Sequence, residues 1–159
     1  IGYVGNCRNE DRYNGYLDTL KRNNLDLIPE YVVETNQTEK EGYEAMEQLL
    51  KSDDCPTGIY CANDITAVGM LKYLGRCRNL YFTPSIIASD DIEEAQYTKP
   101  MLTTVGLPKE EMGKFALYLL LDRMKGGHSG VVRMELSGHL MIRNSCSHVS
   151  ESTWSDYCI

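Results

Sequence analysis

Two apolar runs in this chain stop abruptly at polar pairs, and those pairs are where chemistry can be done. One run is Gly58-Ile59-Tyr60-Cys61-Ala62, followed by Asn63-Asp64. The other is Pro84-Ser85-Ile86-Ile87-Ala88, followed by Ser89-Asp90-Asp91. An apolar run that passes through a polar pair into a helical pattern reads as a buried strand delivering side chains to a helix start. Beyond Asn63 the residues Ile65, Val68 and Leu71 recur on one face, so a helix is expected there. In open α/β sheets, ligands bind just past the carboxyl ends of strands. Asn63 is therefore expected to face a small polar molecule, while Asp64 either joins it or only caps the helix. Asp90 and Asp91 could hold a metal or move protons, but no histidine or further carboxylate motif accompanies them. A carboxylate at position 90 accepting hydrogen bonds from ligand hydroxyls is the better reading.

Arg12 and Gln37 extend the same pattern. Ile1-Gly2-Tyr3-Val4-Gly5 looks like a strand, and Tyr13, Leu17 and Leu20 give the helix that follows its apolar face. Arg12 falls in the first turn of that helix, where a cation opposes the helix dipole. It serves either a surface ion pair, with Glu10 or Asp11 beside it, or as a guanidinium fork for hydroxyls or a carboxylate. Gln37 lies in the loop between a strand-like stretch at 30–35 and a capping box, Thr38-Glu39-Lys40-Glu41. It is either a solvated loop residue or a further ligand contact.

The elements that must position these residues alternate. Strand, helix, strand, helix, strand, helix, strand is the order up to position 91, with crossovers long enough to join parallel neighbours. The fold class is therefore α/β, with a doubly wound parallel sheet and Arg12, Gln37, Asn63 and Asp90 along one of its edges. The third helix is expected to stop at Gly75, a natural C′ position. The character then changes. Residues 99–105 are extended, and Pro108 opens a long helix with Met112, Phe115, Ala116, Leu119 and Leu120 on a broad apolar face. Residues 131–136 alternate apolar and charged, as a half-exposed strand does, and Leu140-Met141-Ile142 is a last short strand. From Ser145 onward the chain is Ser-rich and polar, and loose order is expected there.

The bulk properties exclude several classes. The net charge is −7 and no Lys/Arg cluster stands out, so the chain itself carries no nucleic-acid footprint. No run approaches the roughly 18 apolar residues of a membrane span. No phosphate loop, nucleophile elbow or kinase signature is present, and the three histidines are not at metal-ligand spacing. Neither metal nor cofactor is expected. The six cysteines include no CxxC pair and read mostly as free thiols of a reducing cytoplasm.

Taken together, the chain resembles the effector-binding domain of the LacI/GalR family of bacterial transcriptional regulators. The segments that carry the resemblance run in the family's order. They include Arg12-Tyr13-Asn14-Gly15-Tyr16, Gly42-Tyr43-Glu44-Ala45-Met46 and Cys61-Ala62-Asn63-Asp64-Ile65-Thr66-Ala67-Val68-Gly69-Met70. They continue through Ser85-Ile86-Ile87-Ala88-Ser89-Asp90-Asp91-Ile92, Pro100-Met101-Leu102-Thr103-Thr104-Val105 and Ile142-Arg143-Asn144-Ser145. The resemblance implies a type I periplasmic-binding-protein-like fold of two lobes with an effector in the cleft. Residues 1–145 match mostly the second lobe with parts of the first, and residues 146–159 form a polar tail without a counterpart. The helix from Pro108 and the stretch near Val131 would belong to the first lobe. By the same resemblance Arg12, Asn63 and Asp90 match effector-binding positions, and Lys109 falls near a first-lobe contact. Gln37 stands where many members have an aromatic residue, and Ala88 and Ser89 replace a more usual glycine and aromatic.

The expectation is then a cytoplasmic, dimeric sensor for a sugar or nucleoside-like effector. It would act on operator DNA through an upstream helix-turn-helix that this chain lacks, as it lacks most of the first lobe. An exported sugar-binding protein of a transporter is the alternative, and an enzyme on the same fold is a more distant one.

Overall fold

A computed structural model describes residues 1–8, 10–52, 54–77 and 83–148. The strands are β1 (Gly2–Gly5), β2 (Val32–Glu34), β3 (Gly58–Cys61), β4 (Ser85–Asp90), β5 (Thr103–Gly106) and β6 (His139–Met141). The helices are α1 (Asp11–Arg22), α2 (Glu39–Leu50), α3 (Asp64–Leu74) and α4 (Lys109–Met124). One sheet holds all the strands in the order β2-β1-β3-β4-β5-β6. The first five are parallel and β6 returns antiparallel to β5. The order reverses at β1, so the chain winds one way to β2 and the other way to β3.

Side chains alternate across a strand, and the sheet uses both faces. Tyr3 points to the α1 side, where it packs with Tyr16, Leu20 and Ala62. Val4, Ile59, Cys61, Ile86 and Ala88 point to the other side, beneath Met46 and Leu49 of α2 and Met70, Leu71 and Leu74 of α3. Met46, Leu49, Met70 and Ile86 are almost completely buried, each such side chain contributing about 1.5–3 kcal/mol. Helices on both faces make the sheet doubly wound, as the alternating pattern predicts.

Helices α2 and α3 touch backbone to backbone. A Cβ on Gly42 would collide with the Thr66 carbonyl, and one on Gly69 with the Glu39 carbonyl. Two glycines thus let the helices close over the sheet, and their approach sets where the first residues of α3 lie.

The structure corrects several sequence readings. Residues 30–35 are not one strand: Pro29–Tyr31 is a single 3-10 turn, and only Val32–Glu34 pairs with β1. The fixed φ of Pro29 suits the turn, and the Tyr31 amide closes it on the Ile28 carbonyl. Helix α3 does stop at Gly75, which caps it at a helical φ of −64° rather than in the left-handed region. The 131–136 stretch is not in a strand; it pairs with no other segment among the described residues. Its alternation is real, but a strand needs a neighbour. Nor is the chain loose at Ser145, which is buried. Its hydroxyl donates to the Ile86 carbonyl at 2.6 Å and accepts from the Thr103 amide at 2.7 Å, bridging β4 and β5. The Ser147 amide donates to Ser85 Oγ at 3.0 Å. The rest of the expected tail, from 149 on, lies outside the described residues.

Helix α4 stands apart. None of its residues is buried, and Met112, Phe115, Leu120, Leu121 and Met124 are exposed. Gly126 ends it at a φ of +79°, the conformation only glycine adopts freely.

Gly69→Ala forces the α2 and α3 backbones apart. Overpacking of this kind costs about 1–3 kcal/mol, which for a domain of this size lowers the melting temperature by several degrees. Gly113, which has open space where its Cβ would be, provides the control: Gly113→Ala leaves the melting temperature unchanged or raised in the same thermal denaturation.

Candidate functional site

Parallel strands put all their carboxyl ends on one side, and the loops that leave them carry the candidate residues. Across the sheet the order is Gln37 after β2, Arg12 after β1, Asn63 after β3, Asp90 at the end of β4 and Lys109 after β5.

Arg12 lies in the first turn of α1, as expected, and its charge is met there. Its Nη2 donates to Asp90 Oδ1 at 3.2 Å, and its Nη1 lies 3.5 Å from Glu10 Oε1. The side chain thus reaches past the tip of β3 to the end of β4. Asp90 is half-buried at a φ of +118°, and Asp91 follows at +47°. Residues other than glycine hold such angles at a cost of order 1–3 kcal/mol each, so the turn must be tied down. Arg143 Nη2 donates to Asp91 Oδ1 at 2.5 Å, Lys109 Nζ donates to the Asp91 carbonyl at 2.9 Å, and the Asp91 amide reaches Thr104 Oγ1 at 3.4 Å. Burial raises the Asp90 carboxyl above its usual range against the pull of Arg12 and Lys109, and the charge of Glu10 adds to the rise.

Asn63 takes the capping role that was open to Asp64, and Asp64 points into the interior instead. Asn63 is the helix cap: its Oδ1 accepts from the Thr66 amide at 3.1 Å. Its Nδ2 donates to the Gln37 carbonyl at 3.4 Å. That bond holds the loop after β2, where Gln37 is left-handed at a φ of +62°. Asp64 does not cap. Its carboxylate is fully buried, accepting from the Thr104 hydroxyl at 2.6 Å and the Ile92 amide at 2.9 Å. Burial pushes the Asp64 carboxyl up; the two hydrogen bonds oppose this, and the charges of Asp90 and Asp91 reinforce it.

The capping box at Thr38 forms in modified shape. Thr38 Oγ1 accepts from the Glu41 amide at 3.3 Å. The Glu41 carboxylate reaches back to the amide and side chain of Asn36, at 2.9 and 2.7 Å, and also accepts from the Thr38 hydroxyl at 3.0 Å. The Asn36 side chain is the chief reason the Glu41 carboxyl lies below its usual range.

The structure therefore joins Arg12, Asp90 and Lys109 around one turn and joins Asn63 to Gln37 beside it. Sequence reading did not select Glu10 as a site residue, nor Arg143 or Tyr60. Tyr60 Oη lies 3.2 Å from Ser89 Oγ, so an aromatic ring from β3 stands next to the end of β4. Glu10, two residues before Arg12, was visible only as a possible ion-pair partner. Hollows also lie along the helices. One of about 600 Å3 runs along α3 past Val68 and Tyr97. Another of about 440 Å3 runs along α1 from Arg12 to Leu25. The strand-tip residues form an open polar edge that can hydrogen-bond a hydroxylated ligand laid across it.

A carboxyl raised on folding favours the folded state while protonated. Its contribution is fully present below the unfolded value of about 3.9 and is lost as pH rises through the folded one. Asp64→Asn removes this titration. The stability of the wild type relative to Asp64→Asn should accordingly be greatest at acid pH and decline as pH rises above about 4, measured by denaturant unfolding of both proteins across pH.

Residues 1–146 match the periplasmic binding protein-like domain family. The HTH-type transcriptional repressor CytR of Escherichia coli K12 is 36% identical over 136 residues, covering 84% of this chain and 40% of that protein. The HTH-type transcriptional repressor PurR of Haemophilus influenzae PittGG is 32% identical over 142 residues, covering 87% of this chain and 42% of that protein. Among solved structures, a LacI family transcriptional regulator from Enterococcus faecium with bound ribose superposes with a TM-score of 0.77 at 26% identity, covering 91% of this chain and 55% of that one. The chain thus spans about two-fifths of the length of these curated relatives. By sequence and by fold, it belongs to the periplasmic binding protein-like domain family, in the form found in LacI-family transcriptional regulators.

Proposed function

We propose that this chain is the effector-sensing part of a LacI-family transcriptional repressor, and that its ligand is an uncharged sugar or nucleoside-like molecule held at the strand tips. One observation carries the reading: Arg12 from α1 and Asp90 from β4, 78 positions apart, meet at the carboxyl edge of the sheet. They meet beside Lys109, the first residue of α4. Arg12, Asp90 and the remaining N–H of Asn63 supply donors and acceptors for a polyol edge, with Gln37 on one flank and Lys109 on the other. Repressors among the relatives favour this reading over an exported transporter protein, and none of those relatives is named as an enzyme. Among the described residues no helix is long and apolar enough to cross a membrane, and a DNA-binding repressor works in the cytoplasm.

The mechanism follows from where Lys109 sits. The β5–α4 connection is tied to the Asp91 carbonyl, so a ligand held by Asp90 shares a turn with the segment that leads into α4. An effector shifts such an arrangement only by its differential affinity for the two states. Operator DNA is the second partner, read by a helix-turn-helix outside these residues. A second copy is the third, and the exposed apolar surface of α4 is the face proposed to meet it.

Asp90→Ala removes the charged acceptor from the proposed site. Loss of a hydrogen bond to a charged group costs about 1.5–3 kcal/mol, so effector affinity should fall roughly 10- to 150-fold. Calorimetric titration of the intact protein measures this; an unchanged affinity would remove Asp90 from the site. Light scattering over a concentration series checks the dimer: the expected mass is twice that of the chain, and a monomer throughout counts against a homodimer.

A further inference from the structure

We propose that Glu10 is a specificity-determining residue of the strand-tip site, one that makes it accept uncharged hydroxylated ligands and reject their phosphate esters. The inference rests on the sensor reading above and deepens it. An arginine in the first turn of a helix is by itself a receptor for anions: the guanidinium fork fits phosphate, and the helix N-terminus adds its dipole. Arg12 is not left in that state. Asp90 takes Nη2 and Glu10 approaches Nη1, so separate carboxylates engage separate nitrogens.

Among the described residues Glu10 has no competing side-chain hydrogen bond. It occupies the position before α1 where a side chain normally caps the helix, yet it makes no capping hydrogen bond. Its side chain is only 25% exposed. The other cations nearby are also engaged, Lys109 on the Asp91 carbonyl and Arg143 on the Asp91 carboxylate. A phosphate entering here must displace a carboxylate from Arg12 and then lie against it, and like charges in contact repel. A neutral hydroxyl does neither. It donates to the free lone pairs of Glu10 or Asp90 and leaves the ion pairs in place.

The test uses the intact protein and a panel of pentoses, hexoses, disaccharides and nucleosides, each paired with its own monophosphate ester. Titration calorimetry is run on the wild type, Glu10→Gln and Glu10→Asp. Gln keeps the shape and removes the charge; Asp keeps the charge. The expected result is that the wild type binds an uncharged member at least about tenfold more tightly than its phosphate ester. That gap should shrink several-fold in Glu10→Gln and return in Glu10→Asp. A gap untouched by Glu10→Gln, or an ester bound as tightly as its parent by the wild type, overturns the role of Glu10 and leaves the sensor reading standing. Failure of the wild type to bind any member of either kind overturns the sensor reading itself.

Discussion

The Asp64 carboxylate is out of solvent, and three parts of the chain meet on it. It sits at the first residue of α3, takes the Ile92 amide from the turn after β4, and takes the Thr104 hydroxyl from β5. Burying a carboxylate is expensive unless it is hydrogen-bonded, and breaking a buried polar tie costs more than forming it gains. That asymmetry makes Asp64 a constraint on its neighbours. The strained pair at Asp90 and Asp91 lies between its attachments, so the turn that presents Asp90 is anchored on the side away from solvent. The close contact of α2 and α3 through Gly42 and Gly69 in turn fixes where Asp64 stands. Helix packing, buried carboxylate and exposed carboxylate form one mechanical series.

A second set of ties closes on the same turn from the other side. Arg143 and Lys109 both bond Asp91, and they flank the excursion that leaves from β5 and returns as β6. The two connections run side by side, with Val105 opposite Leu140. The exposed helix α4 therefore joins the sheet at the edge where Arg12 and Asp90 meet. Ser145 completes the return by bridging β4 and β5 with a single hydroxyl.

Much of this was legible in the residues. The apolar runs at 58–62 and 84–88 are strands, the periodic stretches after Arg12, Thr38 and Asn63 are helices, and Asn63 and Asp90 mark strand tips. Readings failed where a segment's state depends on something distant. The stretch at 131–136 alternates like a strand but has no neighbour to pair with. Ser145 looked like the start of a polar tail, yet it is buried, because its hydroxyl finds partners on two strands. Asn63 and Asp64 are adjacent, and local rules allow either to cap α3. The choice goes to Asn63 because Thr104 and Ile92, 40 and 28 positions away from Asp64, supply donors in the interior.

Sequence alone determined the period of each element, the alternating order that requires a parallel sheet, and which polar residues fall where strands end. These follow from contacts between residues a few positions apart, which composition and spacing encode directly. Only the tertiary structure decided that Arg12 reaches Asp90 past the tip of β3, that Glu10 engages the same guanidinium, and that α4 remains uncovered among the described residues. Those outcomes depend on strand order and register, which bring together groups that no local pattern relates.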